Sequence, residues 1–197
     1  MIDSTRRTPW PREVRVLLPD WIDEVVDAGQ CYPSDLAKVE LAVTLSRENV
    51  RRGTGGPFGA AIFEAESGRL AGVGVNLVLS HQNSCLHAEI VAFMVAEARL
   101  GSYTLDLPGG PAHELATSCE PCAMCLGGVL WSGVRRVLSA AARQDAHDLA
   151  FDEGPVFPES YAYLEARGVV FTRDILRSEA REVMALYQRR GGTVYNG

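Results

Sequence analysis

The sequence predicts a three-layer α/β domain, and two observations support this prediction. The chain has 197 residues, of which 47% are apolar and 22% are charged, which is typical of one soluble domain with a well-buried core. Segments with helical spacing of apolar residues alternate with short apolar runs, a pattern that favours helices packed on a central sheet. We therefore expect a single domain over 1–197, with 1–31 as an N-terminal extension and 191–197 as a C-terminal tail.

The first half of the chain is predicted to contain helices on either side of a hairpin. After a short helix in the extension, apolar residues recur at helical spacing over 34–52, with Ser34 as a favourable N-cap. The apolar runs 60–65 and 70–78 flank a segment that contains Glu-Ser-Gly, so they predict a β-hairpin. Residues 86–100 are apolar on most faces, which predicts a buried helix that ends at the following glycine.

The second half is predicted to supply the remaining strands. Short runs with strand character cover 112–118, 134–141 and 168–172. A helix is expected from Pro121, which suits a first helical turn, to about Trp131. A final helix is expected over about 178–190.

Charge and cysteine usage exclude several classes of protein. The net charge is −6 and the arginines are scattered, whereas proteins that grip nucleic acids carry a basic patch. No apolar run is long enough to span a bilayer, and the N-terminal residues do not resemble a secretory signal. Cys119, Cys122 and Cys125 crowd into one short segment, which favours a metal site over a disulfide framework. We expect a cytoplasmic protein that binds neither nucleic acid nor membrane.

Two short motifs predict a zinc site. Cys122 and Cys125 are three residues apart at the start of a predicted helix, so both thiols lie on one side of it. The N-terminus of a helix also favours the thiolate, which is the form that binds metal. His87, at the start of the preceding long helix, supplies a third ligand. Three protein ligands leave one tetrahedral position for water, which is typical of catalytic Zn²⁺.

Glu89 gives this site a chemical role. It stands two residues after His87, where a carboxylate reaches the water on the metal without binding the metal, and it is a candidate proton shuttle. An H-x-E motif followed by P-C-x-x-C is the signature of zinc-dependent nucleobase deaminases. The alternative is a closed structural site of His87, Cys119, Cys122 and Cys125. That site gives Glu89 no purpose, and Cys119 precedes Pro121 and so lies outside the predicted helix.

The stretch from about Gly55 to Gly154 resembles the guanine deaminases of the cytidine-deaminase-like superfamily. The resemblance is carried by GGPFGAAIF, GVN, HAE, TSCEPCAMCLGGVLW and FDEGP. It implies a central mixed sheet flanked by helices, together with the zinc ligands and the proton shuttle described above. It also implies a homodimer in which the C-terminal segment of each chain crosses to cover the active site of its partner.

The resemblance further implies a substrate pocket for a small purine or triazine base. Asn76 matches an asparagine that hydrogen-bonds the substrate ring, and Phe58 and Trp131 match aromatic residues that line the pocket. The second acid of the segment 151–153 matches the residue that recognises the base, although Asp152 and Glu153 both remain candidates. Three of these assignments have a simpler structural interpretation. Asn76 is then a turn residue, Trp131 packs in the core, and the two acids are solvated residues of a loop.

The chemistry of a carboxylate supports guanine independently. Guanine presents N1–H and an exocyclic amine side by side, and an acceptor-only carboxylate such as that of Glu153 matches this pair of donors. Ammeline, an aminotriazine, presents a similar edge. The alternatives are a tRNA adenosine deaminase, which must bind a polyanion, a cytosine or cytidine deaminase, and a zinc-stabilised binding module without enzymatic activity.

Overall fold

A five-stranded mixed sheet forms the centre of the structure, a computed structural model that describes residues 10–196. The strand order is β2-β1-β3-β4-β5. β1 pairs antiparallel with β2 and β3, whereas β3, β4 and β5 are parallel. The strands are β1 (Gly59–Glu64), β2 (Leu70–Val75), β3 (His113–Cys119), β4 (Arg136–Ala141) and β5 (Val170–Thr172).

Helices cover both faces of this sheet, so the predicted three-layer fold with a mixed sheet is confirmed. One face carries α2 and α8, and the other carries α4, α5 and α7. The short helices α3, α6 and α7 were not predicted, because each is too brief to show an apolar repeat. The helices are α1 (Ile22–Val25), α2 (Asp35–Arg52), α3 (Val78–His81), α4 (Ala88–Leu100), α5 (Ala123–Ser132), α6 (Arg143–His147), α7 (Pro158–Glu165) and α8 (Arg177–Arg189).

Local sequence sets the ends of α2 as predicted. The Ser34 hydroxyl accepts a hydrogen bond from the Ala37 N–H at 3.2 Å, which satisfies one of the free donors of the first turn. Gly53 ends the helix with φ 68°, a left-handed conformation that favours glycine.

The start of α5 differs from the prediction. Pro121 precedes the helix, Cys122 is its N-cap with extended backbone angles, and Ala123 is its first residue. The Ala123 N–H donates to the Glu153 carbonyl at 2.9 Å, so a neighbouring loop satisfies this donor. His87 is likewise the N-cap of α4, which begins at Ala88.

Two glycines allow α4 to lie directly on β2. A Cβ at Gly74 would come within 2.2 Å of the Ala88 carbonyl oxygen, and one at Gly72 within 2.7 Å of the Ala96 nitrogen. Because these residues have no side chain, the helix backbone approaches the strand closely. The position of the first turn of α4 relative to the sheet is thereby set.

A buried ion pair joins α2 to the sheet at the end remote from Cys119. The Lys38 ammonium binds the Glu114 carboxylate, and their side chains are only 4% and 1% exposed. Arg136 contacts the same carboxylate at 3.4 Å and donates to Asp35 at 2.7 Å. Removal of one partner from such a pair typically costs about 3–5 kcal/mol, because the other charge stays buried.

Part of the predicted N-terminal extension packs on the domain around Trp21, whereas residues 10–15 are exposed. Trp21 is 5% exposed, and its indole N–H donates to the Thr54 hydroxyl at 3.1 Å. Residues 1–9 of the predicted extension and Gly197 of the predicted tail lie outside the described residues. Over the described range, no helix combines the length and apolar character that crossing a membrane requires.

Candidate metal and active site

Three side chains converge at the ends of α4 and α5. The His87 Nδ1 lies 3.5 Å from the Cys122 Sγ and 3.7 Å from the Cys125 Sγ. Tetrahedral zinc with bonds of about 2.0–2.3 Å holds its ligand atoms roughly 3.5–3.8 Å apart. Within residues 10–196, these three side chains are the one group of His, Cys, Asp or Glu whose spacing suits a metal ion. Both the spacing and the donor types therefore fit zinc.

The electrostatics of the two cysteines favour a metal-binding thiolate. Hydrogen bonding from Cys125 lowers the pKa of the Cys122 thiol to about 4, and His87 lowers it further, whereas burial opposes both. The hydrogen bond with Cys122, together with burial, raises the pKa of Cys125. Cys122 also lies at the N-terminus of α5, where backbone N–H groups stabilise negative charge.

Cys119 lies outside this group. It is the last residue of β3, it is 3% exposed, and its thiol contacts the Ala142 carbonyl oxygen at 3.7 Å. Burial raises the pKa of Cys119 well above the ordinary thiol value. The geometry thus favours three protein ligands over the closed site that includes Cys119.

Glu89 lies beside the three ligand side chains in the first turn of α4. It is 7% exposed and lines the cavity that the ligands border. Burial raises the pKa of Glu89 to about 7, and the Cys122 thiolate also raises it. A carboxyl group that exchanges a proton near neutrality suits general acid–base chemistry.

The cavity has a volume of about 140 Å³ and presents an unpaired donor. Asn76 lines it and is 1% exposed; its Nδ2 has no hydrogen-bond partner among the described residues. The backbone carbonyl oxygen of Asn76 accepts a hydrogen bond from the Asn49 side chain at 3.0 Å, which fixes the main chain at this residue. Phe58 also lines the cavity and packs edge-on against Phe151, with ring centroids 5.2 Å apart. Asn76 is therefore ready to donate to a ligand, because an unsatisfied buried amide is costly.

The geometry distinguishes the two acids of the 151–153 segment. The Asp152 carboxylate accepts from the Gly154 N–H at 2.9 Å, a bond within its own loop. Both acids line the cavity, but Asp152 is exposed whereas Glu153 is half-buried. Burial, followed by the charges of Cys122 and Glu89, raises the pKa of Glu153 to about 8. Glu153 is thus the better candidate for contact with a ligand.

Two residues of the tail complete the cavity wall, and the sequence analysis did not single them out. The Tyr195 ring packs against Phe151 with centroids 5.2 Å apart, and its buried hydroxyl has no partner within the described range. The Asn196 side chain accepts from the Asp152 N–H at 2.8 Å and donates to the Ala150 carbonyl at 2.9 Å. The available signal was a tyrosine and an asparagine three and four residues after Gly192.

The structure bears on two further expectations. Trp131 does not line the cavity of its own chain: it is 81% exposed, because the inner face of α5 carries Cys125 and Val129 instead. Tyr195 and Asn196 of the tail line the cavity of their own chain, and the Thr193 carbonyl accepts from the Tyr187 hydroxyl at 2.7 Å. Exchange of the tail between two copies stays a prediction.

Comparisons with known proteins agree with this geometry. Residues 34–141 match the family described as the cytidine and deoxycytidylate deaminase zinc-binding region. The guanine deaminase of Bacillus subtilis (strain 168) is 39% identical over 133 residues, which cover 68% of this chain and 81% of that protein.

Solved structures show the same likeness over more of the chain. The structure of guanine deaminase from Nitrosomonas europaea is 37% identical, with a TM-score of 0.86 over 91% of this chain and 98% of that one. A variant of NE0047 in complex with 8-azaguanine also has a TM-score of 0.86, with 37% identity over 90% of this chain and 98% of that one. The chain therefore belongs to the cytidine and deoxycytidylate deaminase family of zinc-binding enzymes.

Proposed function

We propose that this chain catalyses the hydrolytic deamination of guanine to xanthine and ammonia, with zinc held by His87, Cys122 and Cys125. The observation that carries the proposal is the lining of one small cavity. Beside the ligand group it presents a general acid–base candidate, Glu89, and a half-buried acceptor, Glu153. The similarity to guanine deaminases and to a protein solved with 8-azaguanine supports the same substrate.

The polar groups of the cavity match the edges of guanine. Glu153 accepts from N1–H, and such donors favour its ionised form against the effect of burial. The amide of Asn76 and the hydroxyl of Tyr195, which both face the cavity, donate to acceptors on the ring. Phe58 packs against the flat face of the purine. Adenine and cytosine present a ring acceptor where guanine has N1–H, and the Glu153 carboxylate disfavours them.

Glu89 moves the protons of the reaction. Bound zinc supplies Lewis-acid activation of water at neutral pH. Glu89 accepts a proton from the attacking water and passes it to the ring nitrogen beside C2, which makes that carbon more electrophilic. It then takes a second proton from the new hydroxyl group at C2 and passes it to the departing amine, so that the carbon–nitrogen bond breaks, ammonia leaves and the C2 carbonyl forms.

The size of the cavity favours a free base. Its volume of about 140 Å³ is below the roughly 300 Å³ at which pockets for larger ligands begin. The net charge of −6 argues against a tRNA loop as substrate, and so do Tyr195 and Asn196, which occupy part of the cavity wall. Ammeline remains the second candidate, because its edge resembles that of guanine.

The five free cysteines are consistent with a reducing, cytoplasmic location.

We also propose that the enzyme is a homodimer. Apolar side chains on the outer surfaces of α4 and α5 are exposed: Met94 by 43%, Met124 by 36% and Trp131 by 81%. A second copy of this chain would cover these residues, and exposed Trp and Met are enriched at such interfaces. Exchange of the tail between the two copies stays a prediction.

The metal site predicts different outcomes for two neighbouring cysteines. Metal analysis of the purified variants is expected to find about one zinc per chain in Cys119→Ser and little zinc in Cys122→Ser, because only Cys122 belongs to the ligand group. Loss of zinc from both variants would instead support the closed four-ligand site.

Replacement of Glu89 tests the proton shuttle. Glu89→Gln preserves the shape of the side chain and removes its proton exchange, so turnover is expected to fall by about 10²–10⁴-fold. Zinc content, measured on the same sample, is expected to stay at the wild-type level. A zinc-loaded variant with near-normal turnover would rule out this mechanism.

A substrate panel tests the proposed function directly. Ammonia release is expected to be fastest with guanine, slower with ammeline, and weak with guanosine, cytosine and adenine. Glu153→Gln is expected to lower kcat/KM for guanine by roughly 10–100-fold, the equivalent of one hydrogen bond to a charged group, and to retain zinc. Asp152→Asn is the matched control, with a smaller effect. Preference of the wild-type enzyme for cytosine or adenine would refute the assignment of guanine.

The exposed tryptophan tests the dimer. Trp131→Ser is expected to weaken self-association at least tenfold in sedimentation equilibrium, since buried interface tryptophans are often worth about 2 kcal/mol or more. Trp10→Ser removes another tryptophan, 92% exposed in the N-terminal extension, and is expected to leave self-association unchanged. A monomeric wild-type protein would contradict the proposal.

A further inference from the structure

Glu120 borders the cavity, yet its carboxylate is engaged by two other loops. Its Oε1 accepts from the Arg173 Nε at 2.7 Å, and its Oε2 accepts from the backbone N–H of Arg143 at 2.9 Å. The side chain is 14% exposed. Because both oxygens are already bonded, Glu120 is better suited to support the wall of the site than to bind a substrate.

The arginine partner is itself held in place. The Arg173 guanidinium lies 4.5 Å from the centroid of the Tyr161 ring and 5.3 Å from that of Phe171. Contact with two aromatic rings restrains a guanidinium at the surface, where the Arg173 side chain is 38% exposed. Glu120 therefore meets an arginine whose position is restrained.

The backbone connects Glu120 rigidly to the metal ligand Cys122. The Glu120 N–H donates at 2.9 Å to the carbonyl of Ala141, the last residue of β4, and its side chain accepts from Arg143, the first residue of α6. Only Pro121 separates Glu120 from Cys122, and the proline ring fixes φ at that residue. A displacement of Glu120 is consequently transmitted to the Cys122 thiol.

The hydrogen bonds explain why a carboxylate stands at this position. Both groups that face it are N–H donors, and only an ionised carboxylate offers two acceptor oxygens. In a glutamine one of these oxygens is replaced by an NH₂ group, which places a donor against a donor. The site thus discriminates between glutamate and glutamine although the two have almost the same shape.

We propose that Glu120 is a positioning residue that holds Cys122 in the ligand geometry through its bonds to Arg143 and Arg173, and thereby sets how tightly zinc is retained. This inference rests on the proposed zinc site but not on the choice of guanine as substrate. Residues that orient metal ligands from outside typically change metal affinity by about 10–100-fold when replaced.

The test compares zinc release from four full-length proteins: wild type, Glu120→Gln, Arg173→Met and the control Glu165→Gln. Glu165→Gln makes the same chemical change at an exposed position of α7. Each zinc-loaded protein is mixed with excess chromogenic chelator, and the rate of zinc transfer is recorded. We expect release about 10–100-fold faster from Glu120→Gln, a smaller acceleration from Arg173→Met, and the wild-type rate from Glu165→Gln.

A spectroscopic measurement separates positioning from general destabilisation. The Co²⁺-substituted proteins report ligand geometry through their visible absorption bands, and these bands are expected to change in Glu120→Gln but not in Glu165→Gln. Wild-type release rates and wild-type Co²⁺ bands in both Glu120→Gln and Arg173→Met would overturn the proposal, whatever the unfolding temperature. If Glu120→Gln does not fold, Arg173→Met alone decides between these outcomes. A wild-type protein that binds no zinc would refute the proposed function itself.

Discussion

The site depends on one geometric constraint: two helices start side by side at one edge of the sheet. α4 begins after His87 and α5 begins after Cys122, so two of the three ligand residues are N-caps. Their backbone conformation is extended, which turns these side chains toward each other, and the first-turn N–H groups favour a thiolate. The close packing of α4 on Gly72 and Gly74 fixes one helix start relative to the sheet, and the end of β3 fixes the other.

Charge is the second constraint on this part of the molecule. Two carboxylic acids, Glu89 and Glu153, share the cavity with the Cys122 thiolate, and the pKa of each acid is raised, first by burial and then by that thiolate. A divalent cation at the ligand group acts in the opposite direction and favours ionised neighbours. The negative charge of the acidic cavity lining and the positive charge of a cation at the ligand group therefore stabilise each other.

The sequence predicted those parts of the site that depend on local spacing. These parts are two pairs of residues, His87 with Glu89 and Cys122 with Cys125, which are two and three residues apart in the sequence. The spacing within each pair can be read correctly even where the predicted bounds of a strand or helix are in error. Trp131 is exposed on its own chain, because an apolar helix does not reveal which side of α5 packs inward, and its place at the substrate pocket stays a prediction. Tyr195 and Asn196 reach the cavity from the far end of the chain through contacts with Phe151 and Asp152, which no local pattern encodes.

The attachment of the tail has a consequence for how the protein unfolds locally. Residues 193–196 are held mainly by the two amide bonds of Asn196, the packing of Tyr195 on Phe151 and the bond from Tyr187. Each such hydrogen bond contributes only about 1 kcal/mol net, so detachment of this segment costs far less than disruption of the sheet. Fraying at the chain terminus thus removes the part of the cavity wall that Tyr195 and Asn196 form, and it leaves the hydrogen bonds of all five strands intact.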